Sequence, residues 1–275
     1  MTDIKIVVDS SADIKELAGV SFASAPLKIN TDSAKFTDDK ELDVGAMVDF
    51  LYTYKGKSST SCPNTEDWLS AFGDAERIFC ITITSHLSGS YNSARVAKDE
   101  YERLYEGRRV ELIDSLSTGP EILLMAEKIR ELAELDRSFD EIAEEIKGYK
   151  TELLFVLESM RNLANNGRIS KAKALIAGFL GIRAIGRASD EGELEMLAKC
   201  RGEAGSVTAL VDYITKLGFK GGKLRIAHCQ NPKFAEGLSA AVKEKYPDAD
   251  IAIGECGGLC SFYAERGGML IGLEG

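Results

Sequence analysis

The chain has 275 residues, 44% hydrophobic and 28% charged, a composition that excludes wholesale disorder. That length fits one large α/β domain or two domains of ordinary size. With 34 Lys and Arg against 44 Asp and Glu, the net charge of −10 argues against nucleic acid and anionic membrane surfaces as general partners.

No stretch reaches the ~18 apolar residues of a membrane span, and the opening MTDIKIVVDSSAD lacks the layout of a signal peptide. The expected location is the cytoplasm, where Cys62, Cys80, Cys200, Cys229, Cys256 and Cys260 are expected to stay reduced. Cys256 and Cys260 stand four apart, but with His86 and His228 as the chain's two histidines a zinc site lacks partners. The cysteines read as small buried hydrophobes, and neither a metal nor a cofactor is expected.

The run 4–8 (IKIVV) is apolar, β-branched and ends at Asp9-Ser10-Ser11, as suits a strand buried on both faces of a parallel sheet. Residues 20–29, interrupted by Pro26, read as one extended or edge strand. Leu42, Met47, Phe50, Leu51 and Tyr54 make a helical stripe, and the polar stretch 55–64 reads as a loop. Asn64 or Thr65 is placed to cap the helix that follows. Residues 77–84 (RIFCITIT) form the clearest buried strand, 91–105 a helix, 108–113 a strand, and 121–135 and 138–149 two more helices. The alternation predicts a parallel, doubly wound sheet.

After Tyr149 the pattern changes. Strands are expected over 153–157, 224–229, 251–255 and 269–273, with helices over 172–180, 204–217 and 232–246. Segments 184–187 and 194–198 flank Ser189-Asp190-Glu191-Gly192 as a hairpin. A mixed sheet with helices on one face fits this half, so the expected boundary is near Lys150, with domains 1–150 and 151–275.

Three hydroxyl-rich segments follow strands or precede helices: Asp9-Ser10-Ser11, Thr60-Ser61-Cys62-Pro63 and Ser88-Gly89-Ser90-Tyr91. In a doubly wound sheet such segments converge on the crevice where ligands bind, and helix N-termini there favour anions. Ordinary caps and turns use the same residues. Leu87-Ser88-Gly89-Ser90 lacks the Gly-x-Ser-x-Gly elbow, nothing places His86 or His228 in a triad, and no phosphate-binding P-loop is present. Arg168, between a polar turn and an apolar helix, either faces an anion or is a solvated turn arginine.

Taken in order, Val8-Asp9-Ser10-Ser11-Ala12-Asp13, Thr60-Ser61-Cys62-Pro63-Asn64, Thr84-Ser85-His86-Leu87-Ser88-Gly89-Ser90-Tyr91-Asn92-Ser93-Ala94, Asp114-Ser115 and Gly167-Arg168-Ile169-Ser170-Lys171-Ala172-Lys173 form a specific series. With it the chain resembles the DegV family of bacterial fatty-acid-binding proteins over nearly its whole length. The resemblance implies a two-domain α/β protein that holds one long-chain fatty acid in a buried tunnel. It implies that Thr60 and Ser88 bind the carboxylate, with Ser61 and Gly89 adjacent. In relatives that serve a fatty-acid kinase, the protein presents that carboxylate to a separate ATP-using subunit and carries the acyl phosphate. The carrier itself is then not an enzyme.

The chain departs from the family pattern at two places. Cys62 replaces the usual Gln, and Tyr263 stands where the family's C-terminal histidine stands. A phenol donates a hydrogen bond but, with an ordinary pKa near 10, offers no cation at neutral pH. Either Tyr263 keeps lipid binding and impairs kinase partnership, or it merely packs. The rival reading is a kinase-like enzyme acting on a small polar substrate, since dihydroxyacetone-kinase domains have a related architecture. A third is an interaction protein with an unused crevice.

Overall fold

The computed structural model describes residues 4–169 and 181–275, so the helix expected over 172–180 and the end of the Gly167–Lys173 motif lie outside the described residues. The first half runs β1 (Ile4–Asp9), β2 (Ser21–Ala25), β3 (Lys28–Thr31), β4 (Lys35–Thr37), α1 (Val44–Thr53), β5 (Ser58–Ser61) and α2 (Thr65–Phe72). It continues with β6 (Arg77–Thr82), α3 (Ser90–Leu104), β7 (Arg109–Asp114), α4 (Pro120–Glu134) and α5 (Phe139–Lys147). The order β2-β1-β6-β7 is parallel throughout.

Why this sheet is covered on both faces is visible residue by residue. Ile4, Ile6 and Val8 of β1 with Phe79 and Ile81 of β6 join the core under α4 and α5. The alternate residues Val7, Ile78 and Cys80 join the core under α2 and α3. A strand's side chains alternate faces, so one apolar run feeds two cores. The doubly wound expectation holds.

The expected single strand over 20–29 is two strands in different sheets. β2 pairs with β1, whereas β3 belongs to a small antiparallel sheet of order β4-β3-β5. Pro26 lies at the break, where its locked φ and missing N–H end the first ladder. The stretch read as a loop at 55–64 likewise contains β5, which pairs with β3.

The second half runs β8 (Thr151–Leu157), α6 (Arg161–Asn165), β9 (Ile182–Ala188), β10 (Leu194–Arg201), α7 (Gly202–Lys216), β11 (Lys223–His228), α8 (Pro232–Lys245), β12 (Asp250–Glu255), α9 (Gly258–Ala264) and β13 (Met269–Glu274). Its six strands lie in the order β10-β9-β8-β13-β11-β12, with only the β11–β12 pair parallel. Leu154, Val156, Ile226 and Ile271 pack under α7 and α8. On the opposite face Leu153, Phe155 and Leu157 meet Met47 and Leu51 of α1 and Phe262 of α9.

The two halves are therefore joined through a shared core. Backbones also approach closely: a Cβ on Gly272 of β13 would stand 2.7 Å from the Pro120 carbonyl carbon of α4. Arg225 of β11, nearly buried, reaches Glu127 of α4 at 2.9 Å.

Candidate functional site

The loops after β1 and β6 are fixed first. Asp9, fully buried, accepts from Ser11 N–H (3.2 Å), Ser11 Oγ (2.5 Å), Ile83 N–H (2.9 Å) and Ser90 Oγ (2.5 Å). Burial pushes its carboxyl up, more than these four donors bring it down. Ser10 Oγ accepts from Leu27 N–H at 3.0 Å. The first hydroxyl-rich segment is thus consumed in holding loops together.

The second segment supplies Thr60. On β5 the side chains alternate, so Ser59 and Ser61 are exposed while Ser58 and Thr60 turn inward. The third supplies Ser88, whose oxygen accepts from Ser90 N–H (3.2 Å) at the start of α3 and whose proton meets no acceptor among the described residues.

Thr60 Oγ1 lies 2.8 Å from Tyr263 Oη, linking β5 to α9. Arg168 Cζ sits 6.0 Å from the centre of the Tyr263 ring, and its Nε donates to Leu87 O at 3.2 Å, beside Ser88. Burial pushes the Tyr263 phenol up, more than the Thr60 hydrogen bond and the Arg168 charge bring it down. At neutral pH it is an uncharged O–H.

These four residues line one cavity. Its walls are otherwise largely aliphatic, from Leu27, Ile83, Leu153, Phe155, Leu194 and Leu270, with Thr118 and Cys260 as further polar atoms. None of its described lining residues is Asp or Glu. Ser61 and Gly89 are exposed and do not line it, although Gly89 packs against the Thr60 loop, its Cβ position 3.3 Å from Cys62 Sγ.

The helix α9 stands in a glycine-rich stretch for which the sequence pattern offers no element. What fixes it is a pair of acids from the first half. Asp13 accepts from Gly257 N–H (2.8 Å), and Asp38 from Gly258 N–H (2.7 Å) and Leu259 N–H (2.8 Å). Burial raises both carboxyls, Asp13 well above the ordinary range with the Asp38 charge adding to the effect. No local pattern marks Asp38 as a partner of a helix some 220 positions away; the one signal for Asp13 is its place in the Asp9–Asp13 motif.

Cys229, Cys256 and Cys260 are buried thiols pushed up by burial, Cys229 to about 11, which makes them poor nucleophiles. Among the described residues no group of three or more His, Cys, Asp or Glu could hold a metal ion. None of the described helices is long and apolar enough to cross a membrane.

The family model described as "Uncharacterised protein, DegV family" matches residues 3–274. The chain belongs to the DegV family. A DegV domain-containing protein of Streptococcus pneumoniae is 43% identical to it over 276 residues, covering 98% of each chain. Among solved structures, a DegV family protein from Eubacterium eligens loaded with heptadecanoic acid is 43% identical, with a TM-score of 0.97 over 98% of this chain and 99% of its own. The Streptococcus pneumoniae fatty acid kinase (Fak) B3 protein loaded with linoleic acid is 42% identical, with a TM-score of 0.96 over the same shares. The expected two-domain DegV architecture, a parallel sheet beside a mixed one, is thereby established.

Proposed function

We propose that this DegV chain binds one long-chain fatty acid, its carboxylate among Thr60, Ser88, Arg168 and Tyr263 and its tail along the aliphatic wall. One observation carries the reading. Hydroxyl and guanidinium donors converge on an apolar cavity whose described lining residues include no protein carboxylate to answer them. A ligand with one acidic end and a long hydrocarbon supplies both complements. Each buried CH₂ contributes about 0.8 kcal/mol, so the tail provides most of the affinity and the donors fix its direction. The fatty-acid-loaded relatives support the reading.

Native mass spectrometry of freshly purified protein should show a fatty-acid adduct, and added palmitate or oleate should be taken up. Absence of both overturns the proposal.

The kinship with a protein named for a fatty acid kinase favours a further role as carrier for a separate kinase subunit. In that role the chain's residues hold and expose the carboxylate, whose oxygen takes the γ-phosphoryl of ATP as ADP leaves. Tyr263, uncharged, adds a hydrogen bond and no cation to that transfer. With a cognate kinase subunit, Tyr263→His should raise acyl-phosphate formation without changing fatty-acid affinity. Equal turnover in the two proteins would show that this position does not decide the chemistry. A thermal-shift comparison of ATP–Mg²⁺ with fatty acid separates the carrier from a kinase-like enzyme.

A further inference from the structure

Outside the apolar cavity lies a second, open and polar space, lined by His86, Gly167, Ile169 and Glu193 together with Leu87, Arg168 and Leu194. The last three residues line both spaces. They are the partition between the cavity and the outer bowl. Each comes from a different segment: Leu87 from the loop after β6, Arg168 from the turn after α6, Leu194 from the first position of β10.

Two hydrogen bonds between the halves of the molecule pin this partition. Arg168 Nε donates to Leu87 O at 3.2 Å, and the buried Thr84 Oγ1 donates to Gly192 O at 3.0 Å. Gly192 is at the tip of the β9–β10 hairpin, with φ +78°. A Cβ there would meet Thr84 Oγ1 at 2.3 Å and Leu116 Cα at 3.0 Å, so the tip seats against the first half only as glycine. Leu116 itself is held at φ 53°, a costly conformation for leucine.

The tip is closed on itself. Ser189 N–H donates to Glu193 O and Gly192 N–H to Ser189 O, each at 2.8 Å. It can therefore move as a unit. β10 is the edge strand of its sheet, and its ladder with β9 is interrupted by a bulge between Met196 and Ala198, just beyond Leu194. A bulge bends its strand and breaks the pairing there, and β10 is at the sheet edge among the described strands.

We infer that the hairpin tip, latched by the Thr84–Gly192 hydrogen bond, is the gate of the cavity: lifting it withdraws Leu194 and opens the polar end to the bowl. The inference rests on the lipid-binding reading. Ligand exchange is then limited by release of the latch, and the carboxylate end is the end that emerges.

The test removes the latch. The protein is loaded with oleate, the load counted by native mass spectrometry, and transfer to phosphatidylcholine vesicles is timed. Thr84→Val, which loses the hydroxyl that donates to Gly192 O, should release several-fold faster than the native chain. Thr84→Ser, which keeps that hydroxyl and its place as acceptor for His86 N–H, should release at the native rate. An unchanged rate in Thr84→Val, or a Thr84→Ser rate as fast as that of Thr84→Val, overturns the gate. Failure of the native chain to load any fatty acid is seen before any rate is measured, and overturns the lipid-binding reading first.

Discussion

The two ends of helix α9 are built in opposite ways. At its start, Asp13 and Asp38 receive the backbone N–H groups of Gly257, Gly258 and Leu259, so the protein supplies its own anions there. The open pocket beside them is lined by further acids, Asp39, Asp43 and Glu255, along with Lys15 and Lys40. One turn into the helix, Tyr263 and Thr60 meet Arg168 in a cavity that offers donors and no described carboxylate. The first region, where acids outnumber lysines, disfavours an acidic ligand that the second complements. The polar atoms at the start of α9 serve architecture, and those near its end retain hydrogen-bonding capacity for a guest.

The largest expected effect breaks the frame that both regions share. Asp9→Ala strands buried donors from Ser11, Ile83 and Ser90, each costing about 1–3 kcal/mol, so urea unfolding should show a loss of about 3 kcal/mol or more. A loss below ~1 kcal/mol would mean that water replaces the carboxylate there. Next, Ser88→Ala should weaken fatty-acid binding by about 1.5–3 kcal/mol, the range for a hydrogen bond to a charged group, with the fold retained. Thr60→Val should act in the same direction, and the double variant should be less than additive because both touch one carboxylate. Unchanged affinity in both would place the head group elsewhere.

The acid pair gives a smaller effect of opposite sign. A carboxyl whose folded pKa is raised binds its proton more tightly in the folded state, so folding is favoured as pH falls through that raised value. Stability then declines as pH climbs from the ordinary carboxylate range near 4 to above it. Asp13→Asn keeps an acceptor for Gly257 N–H and removes the charge beside Asp38. At pH 8 it should gain about 1 kcal/mol, about 2–4 °C in Tm, and show a flatter pH profile. A less stable variant with an unchanged slope would show that the charge itself is needed to hold α9. The smallest effect is expected for Tyr263→Phe on stability: it removes the Thr60–Tyr263 hydrogen bond between neutral groups and should lower stability by about 0.5–1 kcal/mol in urea unfolding.

The parallel core was readable because IKIVV and RIFCITIT are buried on both faces, and a continuous apolar run says so without alternation. The hairpin at Ser189–Gly192 and the cap at Asn64 were readable because turns and caps are local chemistry. β5 was not: SSTS has a loop's composition, and it is a strand only because β3 offers a ladder 30 residues earlier in the chain. α9 was hidden for the same reason, its start being held by acids from the far end of the sequence. Of the site, Thr60 and Ser88 stand out only as members of an ordered series. That Thr60 touches Tyr263, 203 positions later, is a property of the fold.

The cavity lies where the two halves share their core, with walls drawn from both. A hydrocarbon chain seated there would occupy the place of missing core side chains. Cargo would then behave as part of the fold: at a free concentration a hundredfold above its Kd it adds about 2.7 kcal/mol to the loaded form. Unfilled copies would open more often and meet proteases first, so the number of carriers in a cell would follow the amount of lipid there is to carry.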